Sequence, residues 1–277
     1  MIMPDLPSVC IMIATYNQAE YIGKAVASAL EQDYGNLKVI ASDDASTDAT
    51  EEILKNISDP RFTYFKNEQN IGRVANYRKL LYELADTNWV LCLDGDDHLT
   101  DPTYISFAIS AIQDSGEKEV LFFQGLHLID DGKELKASKS RIKDGKKVII
   151  AFEFFTSYFD NRHFSHLATL YDRKAAISEH FYLKDMISAD VDSILRLCLK
   201  FHWRKVILSN RIAGVWVWHE NNQSKTSDAK SRKFNNEKIA AIADLAVEQG
   251  FDKKQAAAWK RKWKIANIRS YIKSLFS

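Results

Sequence analysis

The first hundred residues alternate short apolar runs with segments of helical periodicity, and no other feature of the chain constrains the fold as strongly. Each run holds five or six residues, the length expected of a strand that is buried on both faces. The runs are Val9–Ala14, Leu37–Ala41, Arg61–Phe65 and Trp89–Leu93. Between them, apolar residues recur at helical spacing, as over residues 18–32 and 74–85. This order predicts an α/β fold with a mixed, mostly parallel sheet flanked by helices.

Polar residues directly follow three of these runs. They are Thr15-Tyr16-Asn17, Asp43-Asp44 and Asp94-Gly95-Asp96. Ligands of open α/β sheets bind beyond the carboxyl ends of the strands, so we expect these residues to share one ligand-binding edge. The chain has neither a glycine-rich dinucleotide motif nor a Walker loop. We therefore expect a metal and side chains, rather than backbone amides, to hold any phosphate.

The turn after the fourth run is acidic and reads Asp94-Gly95-Asp96-Asp97. Three neighbouring carboxylates repel one another, and a strong cation close to them would offset this repulsion. Mg2+ and Mn2+ bind carboxylate oxygens and commonly bridge to substrate phosphates. The turn therefore predicts a metal site that holds a diphosphate. The alternative is a solvated acidic turn that binds nothing.

The composition indicates an ordinary globular protein. The chain has 277 residues, of which 46% are hydrophobic and 27% charged, enough for one large α/β domain or two small ones. A net charge of +1 gives no reason to expect a nucleic-acid partner. The three cysteines lie in apolar runs without a C-x-x-C pair, which indicates reduced thiols and a cytoplasmic protein. No apolar stretch reaches the roughly 18 residues of a membrane span.

The second half of the chain is less regular. Strands are expected at Val120–Gln124, Leu126–Ile129, Leu167–Tyr171 and Ile212–Trp218. Residues 130–147 contain seven Lys and Arg and are expected to form an exposed loop or hairpin. Helices are expected at Phe152–Phe159 and Val191–Phe201, and two more over 229–277, separating near Gly250.

Helix capping is predicted at one place in the first half. Asp48 and Glu51 have the spacing of a capping box, which predicts a helix over about 48–57.

Together the motifs resemble those of the GT-A glycosyltransferases of family 2, which are inverting enzymes that use nucleotide-sugar donors. The resemblance covers residues 8–220, and four segments carry it in the family's order. They are Ile13-Ala14-Thr15-Tyr16-Asn17, Ser42-Asp43-Asp44-Ala45-Ser46-Thr47-Asp48, the stretch from Asn67 to Asn76, and Leu93-Asp94-Gly95-Asp96-Asp97. The resemblance implies a Rossmann-like GT-A sheet, here followed by a C-terminal helical extension.

The resemblance also implies roles on the donor side. Tyr16 and Asp44 would face the nucleotide base, and because an Asp carboxylate can accept the imide N–H of uracil, a UDP-sugar is the expected donor. Asp94 would approach the ribose or the metal, and Asp96 would bind the metal, Mn2+ or Mg2+. For Asp44 the alternative is a cap at a helix N-terminus. The other residues expected at the donor site are Thr15, Asn17, Asn70 and Gly72.

On the acceptor side, Ala189-Asp190-Val191-Asp192 resembles the family's E-D-x-D segment, which implies that Asp190 is the catalytic base. Inverting transfer requires one carboxylate beside the acceptor hydroxyl, since the metal stabilises the leaving diphosphate. Two alternatives stay open: Asp190 caps the helix that follows, or Asp192 is the base.

Histidines are the remaining candidates for the site. Trp218-His219-Glu220 begins a segment that resembles the family's closing motif, which implies that His219 binds the metal or touches the diphosphate. The alternative for His219 is an idle loop histidine. His163 and His166 are candidates for the acceptor pocket, although a plain loop is the favoured interpretation.

Residues 253–277 contain eight Lys and Arg and no acid. Trp259 and Trp263 share one helical face, and apolar residues from Ile265 to Phe276 share another. A basic helix with tryptophans is typical of proteins that lie on anionic membranes, so peripheral attachment to the inner membrane face is one of two interpretations, and not the favoured one. The alternative is a helix that packs on the domain.

The resemblance implies three parts: residues 1–99 would bind the nucleotide-sugar, residues 100–224 would bind the acceptor, and residues 225–277 would form a basic helical extension. The expected acceptor is a glycan or lipid-linked glycan of cell-surface polysaccharide synthesis. One alternative is a nucleotidyltransferase that makes the sugar nucleotide, although such enzymes open with a glycine-rich loop. The other is a non-catalytic partner or glycan-binding subunit, suggested by Ala75 and Ala189 in place of the family's Arg and Glu.

Overall fold

The computed structural model describes residues 6–138, 142, 145–159, 164–219, 222 and 228–274, with side chains described as far as residue 266. One ten-stranded sheet forms its centre. The strands are β1 Val9–Thr15, β2 Leu37–Asp43, β3 Phe62–Lys66, β4 Trp89–Asp94, β5 His98–Leu99, β6 Val120–Asp130, β7 Leu135–Ala137, β8 Lys146–Ile150, β9 Thr169–Asp172 and β10 Lys205–Val217. Their spatial order is β3-β2-β1-β4-β9-β6-β10-β5, with β7 paired to β6 and β8 paired to β10.

The sheet is mixed and mostly parallel, as the sequence predicts. β1 pairs in parallel with β2 and β4, and β2 does so with β3. β9 is antiparallel to both β4 and β6, so β6 runs in the direction of β4, and β10 is parallel to β6. The strands that run the opposite way are β5, β7, β8 and β9.

Helices cover both faces of the sheet. They are α1 Ile22–Leu30, α2 Thr50–Lys55, α3 Arg73–Lys79, α4 Tyr104–Asp114, α5 Ala151–Thr156, α6 Arg173–Ser178, α7 Ala189–Lys200, α8 Ala229–Glu248 and α9 Lys253–Ser274. A π-helical turn, Leu80–Leu84, continues α3. The last two helices form the predicted C-terminal extension, and Gly250 lies between them.

The alternation of side chains along the buried strands divides the core into two layers. Every residue of β1 is buried. Cys10 and Met12 pack in a layer with α3 and α5 to α9, whereas Ile11 and Ile13 pack in a layer with α1, α2 and α4. The three cysteines are free and buried, as expected.

Some element boundaries differ from the predicted ones. Residues 120–130 form the single strand β6 instead of two, and β10 begins at Lys205, seven residues earlier than expected. The register between β6 and β10 shifts near Leu208 and Ile212, and such irregularities interrupt the alternation that sequence patterns rely on. Residues 139–141, 143 and 144, within the predicted loop or hairpin, lie outside the described part.

The predicted capping box is wrong. Helix α2 begins at Thr50, its N-cap is Ala49, and no side chain caps it. Asp48 instead accepts hydrogen bonds from the backbone N–H groups of Thr50 and Ala19, and thereby fastens the start of α2 to the loop after β1. Glu51 forms ion pairs with Lys55 and Lys66.

Within the described residues, no helix combines the length and the apolar character needed to cross a bilayer.

Candidate active site

The parallel register brings three strand ends to one edge of the sheet. Thr15 pairs with Asp43, and Ala14, the residue before Thr15, pairs with Asp94. The Gly95 backbone lies close to the Thr15 side chain, since a Cβ atom on Gly95 would be only 2.8 Å from Thr15 Oγ1. The structure therefore brings together the polar strand ends that the sequence predicts to meet.

The acidic turn, residues 94–97, gathers its carboxylates closely. Oxygens of Asp94, Asp96 and Asp97 all lie within 4.8 Å of one another. Burial and then the charge of Asp94 raise the pKa of the Asp96 carboxyl, although its hydrogen bond from His219 opposes the shift. Such a crowded set of hard oxygen donors suits Mg2+ or Mn2+.

His219 lies beside the acidic turn, where the family resemblance implies. Its Nε2 is 2.9 Å from Asp96 Oδ2, and its ring stacks on Tyr21 with centroids 5.1 Å apart. Asn222 donates to the same Asp96 oxygen at 3.4 Å and accepts the backbone N–H of His219. Asp96 and His219, both predicted metal ligands, are therefore in direct contact.

Asp94 is held by a residue that the sequence assigned only to an apolar helix stripe. The buried Tyr77 hydroxyl donates to Asp94 Oδ1, and burial followed by the Asp94 charge raises the Tyr77 pKa well above its ordinary value. The Arg73 guanidinium lies over the Tyr77 ring at 5.4 Å. Burial acts to lower the Arg73 pKa, but Tyr77, Asp94 and Asp190 together raise it above the ordinary value.

Asp44, predicted to face the base, is 2% exposed. Its carboxylate accepts hydrogen bonds from Asn67 Nδ2 at 2.8 Å and from the backbone N–H groups of Ile71 at 2.9 Å and Gly72 at 2.8 Å. Asn70 Oδ1 also accepts the Gly72 N–H, and Gly72 has a φ of 89°, a conformation that favours glycine. Asp44, Asn70 and Gly72 thus stabilise one loop at the site edge, and Asp44 caps no helix.

The turn after β1 offers an exposed aromatic ring. Tyr16 is 46% exposed. Asn17, with a φ of 51°, accepts the Thr47 N–H at 2.8 Å, and its own N–H donates to Ser46 Oγ at 2.8 Å. These bonds fix the Tyr16 loop against the segment after β2.

Asp190, the predicted base, lies in the first turn of α7, but Ser188 is the N-cap. Its side chain is 24% exposed, and Oδ2 is 3.8 Å from His166 Nε2. Asp192 is 1% exposed and forms ion pairs with Arg196 and Lys184. Asp192 therefore stabilises the start of α7, and the interpretation of Asp190 as the N-cap is wrong.

His166, for which a plain loop was the favoured interpretation, lies in a buried 3-10 turn beside Asp190. It is 9% exposed, faces Asp190, and one of its ring nitrogens lies within 4.8 Å of an Asp94 oxygen and the Cys92 sulfur. No local pattern distinguishes this histidine, because its neighbours come from distant segments. His163 lies outside the described residues.

The comparisons with known proteins identify the family of this chain. The family model described as glycosyl transferase family 2 matches residues 10–177. The Escherichia coli UDP-Glc:alpha-D-GlcNAc-diphosphoundecaprenol beta-1,3-glucosyltransferase WfaP is 39% identical over 90 residues, 32% of this chain and 36% of that protein. The Campylobacter jejuni GalNAc(5)-diNAcBac-PP-undecaprenol beta-1,3-glucosyltransferase is 27% identical over 181 residues, 64% of this chain and 57% of that protein. The matched stretches thus span less than two thirds of these relatives.

Solved structures share the fold. S. aureus TarS 1-349 in complex with UDP-GlcNAc superposes with a TM-score of 0.74 at 16% identity, over 92% of this chain and 71% of that chain. Mannosyltransferase PcManGT from Pyrobaculum calidifontis, in complex with GDP-Man and Mn2+, gives a TM-score of 0.58 at 15% identity, over 92% and 68% of the two chains. Because the family model matches more than half of the chain and these structures share its architecture, the chain belongs to glycosyl transferase family 2 and has the GT-A fold.

Proposed function

We propose that the protein transfers a sugar from a UDP-sugar to a hydroxyl group of a glycan or lipid-linked glycan, with inversion and with dependence on Mn2+ or Mg2+. The observation that carries the proposal is that two kinds of carboxylate meet around His166. One is the crowded acidic turn, through Asp94, and the other is the single, partly exposed carboxylate of Asp190. An inverting transferase needs both, one group for a cation and the other for the acceptor hydroxyl.

The donor side has the groups that a nucleoside diphosphate needs. Asp96, His219 and Asp94 would hold the metal, which when bound would neutralise the charge of the diphosphate leaving group. Tyr16 offers an exposed ring to the base. Asp44 accepts three hydrogen bonds from residues 67–72, and since a carboxylate has about four acceptor positions, one remains for the uracil imide N–H. Thr15 and Asn17 stabilise the Tyr16 loop, Thr15 through Gln18 and Asn17 through Ser46 and Thr47.

On the acceptor side, Asp190 would take the hydroxyl proton. Its partial exposure leaves the carboxylate open to an acceptor, whereas the ion-paired Asp192 is closed to one. The printed names of both curated relatives include an undecaprenol-linked diphosphate, which supports a lipid-linked acceptor for this chain as well.

Such an acceptor supports a peripheral position on the inner membrane face, with α9 as the contact. Lys253, Lys254, Arg261 and Lys264 are exposed on α9. Each basic residue near an anionic surface contributes about 1 kcal/mol of attraction. Trp259 and Trp263 pack on the domain instead, so the basic residues alone would supply the attraction.

The metal assignment is tested by UDP binding and by UDP release from a panel of nucleotide-sugars, first with Mn2+ and then with EDTA. Asp96→Ala should abolish the Mn2+-dependent part of UDP binding, and Asp114→Ala, which removes an exposed acid at the end of α4, should not change it. If Asp96→Ala binds UDP with unchanged affinity in the presence of Mn2+, the metal assignment is wrong.

The base assignment is tested in the same assay. Asp190→Asn should bind UDP normally and lose turnover by at least about 100-fold, since a general base contributes about 10²–10⁴. Near-normal turnover would exclude Asp190 as the base. If the wild-type protein binds UDP but releases it from no donor, a non-catalytic subunit becomes the better interpretation.

A further inference from the structure

His166 occupies a rigid position between the two halves of the site. It begins a short 3-10 turn, His166–Ala168, directly before β9. Three aromatic rings meet its ring edge to face: Tyr77 at 5.4 Å, Phe164 at 5.5 Å and Tyr182 at 5.8 Å between centroids. Because close packing on several sides limits a side chain to one rotamer, the imidazole has little freedom to turn.

The Nε2 atom of this fixed ring faces two polar groups. Tyr182 OH is 3.4 Å away, and Asp190 Oδ2 is 3.8 Å away, an ion-pair distance rather than a hydrogen bond. Tyr182 OH is itself 3.1 Å from Tyr171 OH. Tyr171 therefore fixes the Tyr182 hydroxyl on the side away from His166. The imidazole edge of His166 still faces the Asp190 carboxylate.

Asp190 has few charged partners for its side chain. Its only ion pair among the residues that the structure describes is the one with His166. Asp192, one half-turn along α7, has Arg196 Nε at 2.8 Å and Lys184 Nζ at 2.7 Å. The structural carboxylate of Asp192 is thus fixed from two sides, whereas the partly exposed carboxylate of Asp190 has one ion-pair partner among the described residues, His166.

We propose that His166 is a positioning residue for Asp190. Its Nε2 attracts one carboxylate oxygen across 3.8 Å, so that the other oxygen faces the acceptor hydroxyl. The inference rests on the proposed function. In the transfer step, the acceptor O–H bond breaks and its proton passes to Asp190. The acceptor oxygen bonds to the sugar, and the bond from the sugar to the diphosphate breaks.

The first test compares His166→Ala with His166→Gln in UDP release from UDP-glucose and UDP-GlcNAc. His166→Ala should lower kcat by about 10-fold or more and leave the donor KM within about two-fold, because orientation of a catalytic group affects the reacting state and not donor binding. His166→Gln should recover most of the loss, since the amide N–H can still donate to the carboxylate. His202→Ala removes a histidine that packs on Phe251 and should leave both constants unchanged.

The second test is a double-mutant cycle. If His166 acts through Asp190, the variant with both His166→Ala and Asp190→Asn should be no slower than Asp190→Asn alone. An equal fractional loss in both backgrounds would overturn the proposal, as would a His166→Ala kcat within two-fold of the wild type. Equal losses in His166→Ala and His166→Gln, together with equally lowered melting temperatures, would assign His166 a purely structural role.

Failure of this inference is distinguishable from failure of the proposed function. A wild-type protein that neither binds UDP with Mn2+ nor releases it from any donor overturns both. A wild-type protein that turns over normally, beside a His166→Ala variant that does the same, overturns the role of His166 alone.

Discussion

Asp97 connects the acidic turn to strand β10. It is 4% exposed, and its Oδ1 accepts the backbone N–H of Val217, in β10, at 2.9 Å. Burial, followed by the charges of Asp96 and Asp94, raises the Asp97 pKa well above its ordinary value. Because the pKa of Asp97 is higher in the folded than in the unfolded state, protonated Asp97 adds to the free energy of unfolding at low pH. This contribution is lost as the pH rises through the folded-state pKa.

Asp97→Asn should therefore flatten the pH dependence of stability. The amide oxygen can still accept the Val217 N–H, but the side chain no longer titrates. Without metal, the wild-type melting temperature should fall relative to the variant as the pH is raised from 4. The difference should reach about 2–4 °C, which corresponds to about 1 kcal/mol. Thermal melts across pH in EDTA measure it, with the exposed Asp114→Asn as the control. Parallel melting curves for wild type and Asp97→Asn would contradict the argument.

Sequence motifs predicted the acids of the site but not their partners. Asp96 and His219 were both predicted, and they meet although 123 positions separate them. Tyr77 and Arg73 belong to a helix whose apolar stripe was evident, yet a stripe does not reveal that a tyrosine hydroxyl reaches Asp94. His166 became recognisable only through Tyr77, Tyr182 and Asp190, which tertiary packing brings to it.

At the scale of elements, α3 joins the donor side to the acceptor side. Arg73 Nη2 donates to the carbonyls of Ile187 at 2.8 Å and Met186 at 3.4 Å, and Arg78 Nη2 donates to the carbonyl of Tyr182 at 2.7 Å. The segment 182–187 leads directly into α7. Two arginines on α3 thus hold the backbone that positions Asp190.

Arg73→Lys should loosen this connection, because the shorter side chain and its compact ammonium group do not reproduce the position of the guanidinium Nη2, which donates to both carbonyls. We expect turnover to fall about 10-fold, since small displacements of a catalytic group are costly, while Mn2+-dependent UDP binding stays within about three-fold. Arg173→Lys is the matched control, because Arg173 also binds two carbonyls, donating from Nε to Leu81 and from Nη2 to Tyr82. The argument fails if Arg173→Lys reduces turnover as much as Arg73→Lys does.

The positions of strands and helices were predicted correctly where one pattern of buried residues runs through the whole element. β1, β2, β4 and α1 lie within a few residues of their predicted positions, because their burial is continuous or one-sided. The predicted β10 begins seven residues too late, because the residues around Ser209 to Arg211 interrupt the pairing of β10 with β6. The predicted α2 is too long, because Asp48 accepts hydrogen bonds from the loop after β1 as well as from the first residue of the helix.

At the scale of the whole molecule, the C-terminal helix belongs to the folded domain. Trp259 is 3% exposed, stacks on Phe155 with centroids 5.0 Å apart, and donates from Nε1 to the Phe155 carbonyl at 2.9 Å. Trp263 donates to the carbonyl of Asn236 in α8 at 3.2 Å. A truncation before α9 would expose this packing, so charge reversal is the better test of membrane contact.

Reversing the exposed basic residues of α9 should release the protein from anionic vesicles without unfolding it. The changes are Lys253→Glu, Lys254→Glu, Arg261→Glu and Lys264→Glu. At about 1 kcal/mol for each basic residue, the partition coefficient on vesicles with 30% phosphatidylglycerol should fall by at least about 100-fold. The control reverses four exposed lysines elsewhere: Lys55, Lys118, Lys133 and Lys174. Both variants carry the same net charge, so only a specific role of α9 separates them in vesicle sedimentation. Equal binding by the two variants would mean that the membrane does not contact this face, and that α9 serves only to cover the core.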